Sequence, residues 1–324
     1  MLRRLFRRAL VGLAIIAGVV TFTFFLLRAA PGDPVEQLLG PAASAEQIEL
    51  QRHLLGFDRP LPLQYLAWTG RFITGDWGTS IANGQPVTAM LAKAWPATAL
   101  LVVLSLTATY ILGIVVGAAQ AGTRRRGLDT ALSVTTVTLF AMPGYWLGLM
   151  LVMLFTYWLG VLPAFGAVGL DADFLSGWER LLDRFRHLAL PLITLTAIGV
   201  GGVARYVRGA MLDVRRAPFV TVAHARGLSP LRINLRHVLG NALIPVVTLL
   251  GLSLPAVFSG TVFVESIFAW PGVGRILVEA VRARDYPVVM AATVVSAILV
   301  VLGNLIADVL ATWVDPRLRT TNDS

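Results

Sequence analysis

The sequence predicts an all-α membrane protein with six transmembrane helices. Hydrophobic residues make up 56% of its 324 residues and charged residues 14%, its mean hydropathy is +0.74, and its apolar residues lie in long blocks. A water-facing domain averages about 25% charged residues. The blocks show neither the period of 2 nor that of 3.6 that buries one face of a strand or helix. A helix needs about 20 mostly apolar residues to cross about 30 Å of hydrocarbon. Six stretches qualify: residues 9–27, 99–120, 131–159, 188–211, 243–263 and 288–313.

The first stretch follows a basic start, Met1-Leu2-Arg3-Arg4-Leu5-Phe6-Arg7-Arg8, which also describes a secretory signal. Its apolar run exceeds the roughly 7–15 residues of a signal core, and Pro31 after Ala29-Ala30 makes a poor cleavage site. The expectation is a retained anchor helix. The third stretch is long enough to tilt, and Pro143-Gly144 should kink or break it. The fifth carries Pro245 and Pro255 and should bend. Between the first two spans, residues 28–98 hold Trp68, Phe72, Trp77 and Trp95, which suit helices at a membrane interface.

Arginine placement sets the expected orientation. With the N-terminus inside, the cytoplasmic segments are residues 1–8, 121–130, 205–242 and 314–324. They hold 16 of the 27 basic residues but only four of the 18 acids, five with Asp308 counted on that side, so both termini are expected in the cytoplasm. The net charge of +9 is therefore spread between apolar blocks, not gathered on the soluble face that nucleic acid would need.

Several chemistries are excluded. Without cysteine there is no disulfide or thiolate metal site, and His53, His187, His224 and His237 form no metal-ligand pattern. A phosphate-binding loop needs Gly-Lys-Ser/Thr, and the only lysine sits in Ala92-Lys93-Ala94. No GxSxG elbow and no paired carboxylates within a span occur, so no catalytic residue and no metal is expected. An ion-coupled carrier places ionisable residues within its spans. Here Glu265 and Asp308 lie near span ends. That carrier, and a non-transporting scaffold, stand as the alternatives to the reading below.

The informative segment is the loop between spans four and five, residues 212–242. Pro218 is placed to start a helix, and Gly227 before Ser229-Pro230 to stop one. This gives a short arginine-flanked helix outside the membrane, with small Ala223 and Ala225 for close packing. A plain basic connector needs no such caps.

Here the sequence resembles the coupling region of binding-protein-dependent ABC importer permeases. Of the family's Glu-Ala-Ala-x-x-x-Gly pattern only Ala223 and Gly227 are kept, with Thr221 and Val222 at the other positions. Ala223-His224-Ala225-Arg226-Gly227-Leu228, Leu235-Arg236-His237 and Asn241-Ala242-Leu243-Ile244-Pro245 follow the dipeptide/oligopeptide/nickel variant. So do Arg28-Ala29-Ala30-Pro31-Gly32-Asp33-Pro34, Gly75-Asp76-Trp77-Gly78-Thr79-Ser80 and Arg284-Asp285-Tyr286-Pro287. Val264-Glu265-Ser266-Ile267-Phe268 and Pro271-Gly272-Val273-Gly274 complete the likeness, which covers nearly the whole chain and is closest to the subunit with the long first periplasmic loop.

The resemblance implies a six-helix permease of the type I importer kind in a bacterial inner membrane, moving peptides or similar small solutes and catalysing no reaction itself. It implies an anchor helix and periplasmic loop over residues 1–98, a permease core over 99–313 and a cytoplasmic tail over 314–324. The ATPase-coupling residues would be Pro218, Thr221, Ala223, Ala225, Arg226, Gly227, Leu228 and Ser229. Phe140, Met142, Pro143 and Tyr145 are candidates for a pore or gate, against plain aromatic packing. Trp270, Pro271, Gly272, Gly274, Arg284, Asp285 and Tyr286 are candidates for a periplasmic contact, against turn chemistry and local capping. Implied partners are a second homologous permease subunit, two ATP-binding-cassette ATPase subunits carrying ATP and Mg, an extracytoplasmic substrate-binding protein and membrane lipid. This chain would bind no cofactor itself.

Overall fold

A computed structural model describes residues 2–29, 32, 34–40, 42–123 and 125–314. Among them the structure is helical, apart from one isolated bridge between Thr79 and Pro86. The helices are α1 (Leu2–Ala29), α2 (Pro34–Leu39), α3 (Ala45–Leu54), α4 (Leu61–Ile73), α5 (Val87–Gly122), α6 (Arg126–Ala141) and α7 (Gly144–Val152). They continue with α8 (Gly177–Arg215), α9 (Pro218–Ala225), α10 (Pro230–Arg232), α11 (Gly240–Ile267), α12 (Val273–Arg282) and α13 (Tyr286–Val314). Two π-helical stretches extend α7 (Met153–Trp158) and join α10 to α11 (Ile233–Leu239).

Among the described residues, α1, α5, α8 and α13 are each long and apolar enough to cross a membrane. All four run past the predicted limits of their spans. The third predicted span is interrupted more severely than a kink: α6 and α7 meet at 105°. The cause is local. A residue before proline is driven out of the helical region, and Met142 is extended (φ −71°, ψ 134°) ahead of Pro143. Helix α11, at 28 residues about 42 Å long, takes the place of the fifth span, with Ala256–Ile267 as an apolar segment.

The chain divides into two compact units. The first holds residues 99–270 and 302–314. Its central element is α8, whose apolar window is 61% buried. Tyr110 of α5, Val203, Val207 and Met211 of α8, and Ala242 and Val246 of α11 form its core. Helices α5 and α8 come close because Gly113 and Gly117 share one face of α5. A Cβ on Gly113 would fall 2.6 Å from Val203, and one on Gly117 2.8 Å from Val207. This four-residue spacing of glycines lets membrane helices approach backbone to backbone. The ion pair Asp129–Arg208 (2.9 Å) ties α6 to α8, and Tyr110 shares a 2.8 Å hydrogen bond with Ser253 of α11.

The second unit holds residues 2–98 and 271–301, so Pro271–Val301 belongs with the N-terminal segment. Val20 and Phe24 of α1 pack with Met290 and Val294 of α13, flanked by Tyr65, Trp68 and Phe72 of α4. A second cluster joins Val87, Leu91 and Ala94 at the start of α5 to Val273 and Ala280 of α12 and Val288 and Ala292 of α13. Away from these cores the span helices turn large apolar side chains outward. Phe22, Val103 and Val115 are 69%, 60% and 59% exposed. Apolar surface on that scale is stable against lipid tails and not against water.

Candidate functional site

Helix α9 is set by local signals at both ends. Ala217 is extended (φ −71°, ψ 141°) and Pro218 takes the first helical position, where its fixed φ fits and its missing N–H costs nothing. At the other end the Gly227 amide donates to the His224 carbonyl (2.9 Å) and the Leu228 amide to the Ala223 carbonyl (3.3 Å). These two bonds make a Schellman closure, which needs a left-handed residue between them. Gly227 supplies it at φ +74°. A Cβ there would meet nothing within 4 Å, so backbone conformation, not space, demands the glycine. Ser229 does not belong to this closure. Its hydroxyl accepts the Arg232 amide (3.4 Å) and caps α10.

One face of α9 is buried in the chain itself. Val220 and Ala223, three residues apart, enter the core formed by Val207, Met211, Ile233 and Val238, and Leu228 packs on the same cluster. The π-helical stretch behind it is tied to the end of α8 by Arg215 donating to Asn234 (3.1 Å). Opposite, Phe219 and Val222 are 43% and 50% exposed beside exposed Thr221, Ala225 and Arg226. The small residues singled out for contact with another protein therefore divide. Ala225 is outward, whereas Ala223 seats the helix on its own subunit. Phe219 and Val222, overlooked in the motif, were legible as apolar positions on the face opposite Val220.

The remaining candidates separate in the same way. At the α6–α7 break, Phe140 and Tyr145 are exposed, Pro143 is exposed and Met142 half-buried. Phe140 is engaged: the Arg205 guanidinium lies 4.3 Å over its ring. Of the candidates for an external contact, Trp270, Gly272, Gly274, Asp285 and Tyr286 are buried. The Trp270 amide donates to the Glu265 carbonyl (2.9 Å), which closes the end of α11. The Val273 amide donates to Thr98 (2.9 Å). The Asp285 carboxylate accepts from the Ser80 hydroxyl and from the amides of Ile81 (3.1 Å) and Ala82 (3.3 Å). Those five residues build the fold, and within that set only Pro271 and half-buried Arg284 reach the surface.

Helix α9 is thus a capped helix with one face buried in its own chain and an exposed apolar stripe on the other, next to long apolar helices. Residues 110–320 match the family described as binding-protein-dependent transport system inner membrane component, and residues 1–103 match the N-terminal region of such components. The chain belongs to this family. It is a multi-pass inner-membrane permease subunit of the ABC-importer class and is not itself an enzyme. The oligopeptide transport system permease protein AppB of Bacillus subtilis is 38% identical over 313 residues, covering 96% of this chain and 98% of AppB. The di/tripeptide transport system permease protein DppB of Pseudomonas aeruginosa is 37% identical over 316 residues, covering 93% and 94%. A structure of the inward-facing MetNI methionine ABC transporter overlays at a TM-score of 0.58 with 18% identity, covering 71% of the permease and 98% of that chain. That likeness places the permease in the type I importer fold. Neither the ion-coupled carrier nor the scaffold is favoured.

Proposed function

We propose that this permease forms half of a translocation pathway for peptides and that α9 transmits closure of a separate ATPase subunit to it. One observation carries the reading: α9 is fixed on its own subunit by Val220 and Ala223 while presenting Phe219 and Val222 outward. A lever needs both a rigid mount and a free face. Full-length relatives named for oligopeptide and di/tripeptide transport support the substrate class. In this reading a second permease subunit completes the pathway, two ATPase subunits hold ATP and Mg, and an extracytoplasmic binding protein delivers the peptide. Both termini and α9 face the cytoplasm, as the arginine bias supports. Residues 1–98 form the anchor and periplasmic segment, 99–313 the permease core and 314–324 a tail. Phe140, Met142, Pro143 and Tyr145, at a break between apolar helices, serve as the gate region.

The test is reconstitution with the ATPases and the binding protein, followed by peptide uptake and ATP hydrolysis. Val222→Glu is expected to abolish peptide-stimulated hydrolysis and uptake while leaving membrane insertion and assembly of the two permease subunits intact. Normal uptake by Val222→Glu and Phe219→Glu together would overturn the docking role. Uptake by the permease alone under an ion gradient would overturn the function.

A further inference from the structure

Within the second unit lies a cavity of about 380 Å³ whose lining changes from apolar to cationic. Phe24 and Leu27 of α1 and Met290 of α13 supply the apolar part, on helices long enough to cross a membrane. Arg28, Arg59 and Arg71 also line it, against one acid among the described residues, Asp76.

Arg28 is held in place without a carboxylate partner among the described residues. Its guanidinium lies over the rings of Phe57 (4.4 Å), Phe24 (5.2 Å) and Tyr286 (5.4 Å). One nitrogen donates to the Gln64 side-chain oxygen. Gln64 is itself fixed, because it is buried and its amide donates to the carbonyls of Phe57 (3.1 Å) and Arg59 (2.7 Å). A guanidinium carries five N–H donors. Among the described residues Arg28 makes this single hydrogen bond and pairs with no carboxylate. Ring faces attract the cation. The N–H groups not given to Gln64 have no oxygen or nitrogen acceptor among the described residues, and such donors suit a bidentate oxyanion.

We propose that this cavity binds a phosphate-type oxyanion, with Arg28 as its anchoring cation and Arg59 and Arg71 at its rim. The apolar lining favours the phosphodiester of an anionic phospholipid over a free phosphate, since the acyl chains would continue along α1 and α13. Cationic pockets beside membrane helices hold lipid headgroups by this combination. The proposal is independent of which solute the permease moves.

Native mass spectrometry of the assembled, detergent-purified transporter tests it with three probes: dioctanoyl-phosphatidylglycerol, dioctanoyl-phosphatidylcholine and glycerol phosphate. Saturable binding of the phosphatidylglycerol is expected, weakened at least tenfold by Arg28→Gln and only a few-fold by Arg28→Lys. The zwitterionic lipid should bind weakly and indifferently to Arg28. Tight glycerol phosphate binding with the same Arg28 dependence would support the oxyanion site and assign its source to solution. Equal phosphatidylglycerol binding by the parent and a folded Arg28→Gln variant would overturn the proposal. If Arg28→Gln fails to assemble, Arg59→Gln/Arg71→Gln at the rim decides. A several-fold loss supports the site, and no change overturns it.

Discussion

The Ser80 hydroxyl donates to the Asp285 carboxylate across 205 residues of sequence. This contact brings together the segments Gly75-Asp76-Trp77-Gly78-Thr79-Ser80 and Arg284-Asp285-Tyr286-Pro287. Asp285 is 2% exposed and also accepts the Ile81 and Ala82 amides. It works as a buried staple between the segment ahead of α5 and the start of α13. Nearby, a Cβ on Gly32 would fall on the Arg284 guanidinium, so the motif beginning at Arg28 meets the same corner.

Asp285→Ala should therefore destabilise the second unit without touching any translocated solute. A hydrogen bond to a charged group is worth about 1.5–3 kcal/mol, and of the donors left behind Ser80 is buried, Ile81 half-buried and Ala82 exposed. A loss of about 3 kcal/mol is expected, read as a lower melting temperature of the purified permease. Proteolysis should quicken near residues 74–86. Asp285→Asn keeps one acceptor oxygen and should lie between. An unchanged melting temperature in Asp285→Ala would remove the staple from the account of this unit.

Gly227→Ala should loosen the end of α9 by placing a side chain in the left-handed region, at a cost of about 1–2 kcal/mol. Since a Cβ there meets no neighbour, Gly227→Asn, which tolerates this conformation, should cost less. Hydrogen exchange of the Gly227 and Leu228 amides reports it directly: both should exchange faster in Gly227→Ala than in Gly227→Asn. If space were the issue, the larger asparagine would be worse.

How much of this was legible in the sequence follows from range. Composition and block length gave the helical class, because lipid forces every backbone group into helix or barrel. The α9 boundaries were legible because Pro218 and Gly227 act on their own backbone. What the sequence did not reveal depends on partners distant along the chain. Nothing in Trp270, Asp285 or Tyr286 alone says that they are buried; that depends on segments far away in sequence, such as Ser80–Ala82 against Asp285. The α6–α7 junction lies between these cases. Pro143 announces a break, but the 105° angle depends on how each half packs.

The small clip after α3 should be pH-sensitive. His53 Nδ1 and the Asp58 carboxylate are 2.6 Å apart, and this hydrogen bond holds the Asp58 carboxyl below the ordinary aspartate range. A carboxyl with a depressed folded pKa contributes stability above its unfolded value and loses it as pH falls through the folded one. Protection of the Leu55–Asp58 amides, taken relative to the intrinsic exchange rate at each pH, should fall on acidification through that window, and Asp58→Asn should flatten the dependence. Both side chains are solvent-accessible, so the effect is local and should leave global unfolding unchanged.

Gly117→Val gives the severest expected outcome. On α5, a Cβ at Gly117 would already lie 2.8 Å from Val207 and 3.1 Å from the Ala204 Cα of α8. A main-chain atom cannot rotate away as a flexible side-chain tip can, so the helices must separate. Separation also opens the contacts of Tyr110, Val203 and Met211 in the core on which α9 rests. Overpacking a tight core costs about 1–3 kcal/mol when neighbours can adjust, and backbone on the far side places this site at or above the upper end. Gly113→Ala meets side-chain atoms of Val203 first and should be milder. The measurement is the fraction of folded permease recovered from membranes, with exchange of the α9 amides alongside. Loss of yield together with faster exchange at Val220 and Ala223 is expected, because α9 is seated on the same core. A Gly117→Val permease with parent-like yield and protection would mean that α5 and α8 are not in backbone contact.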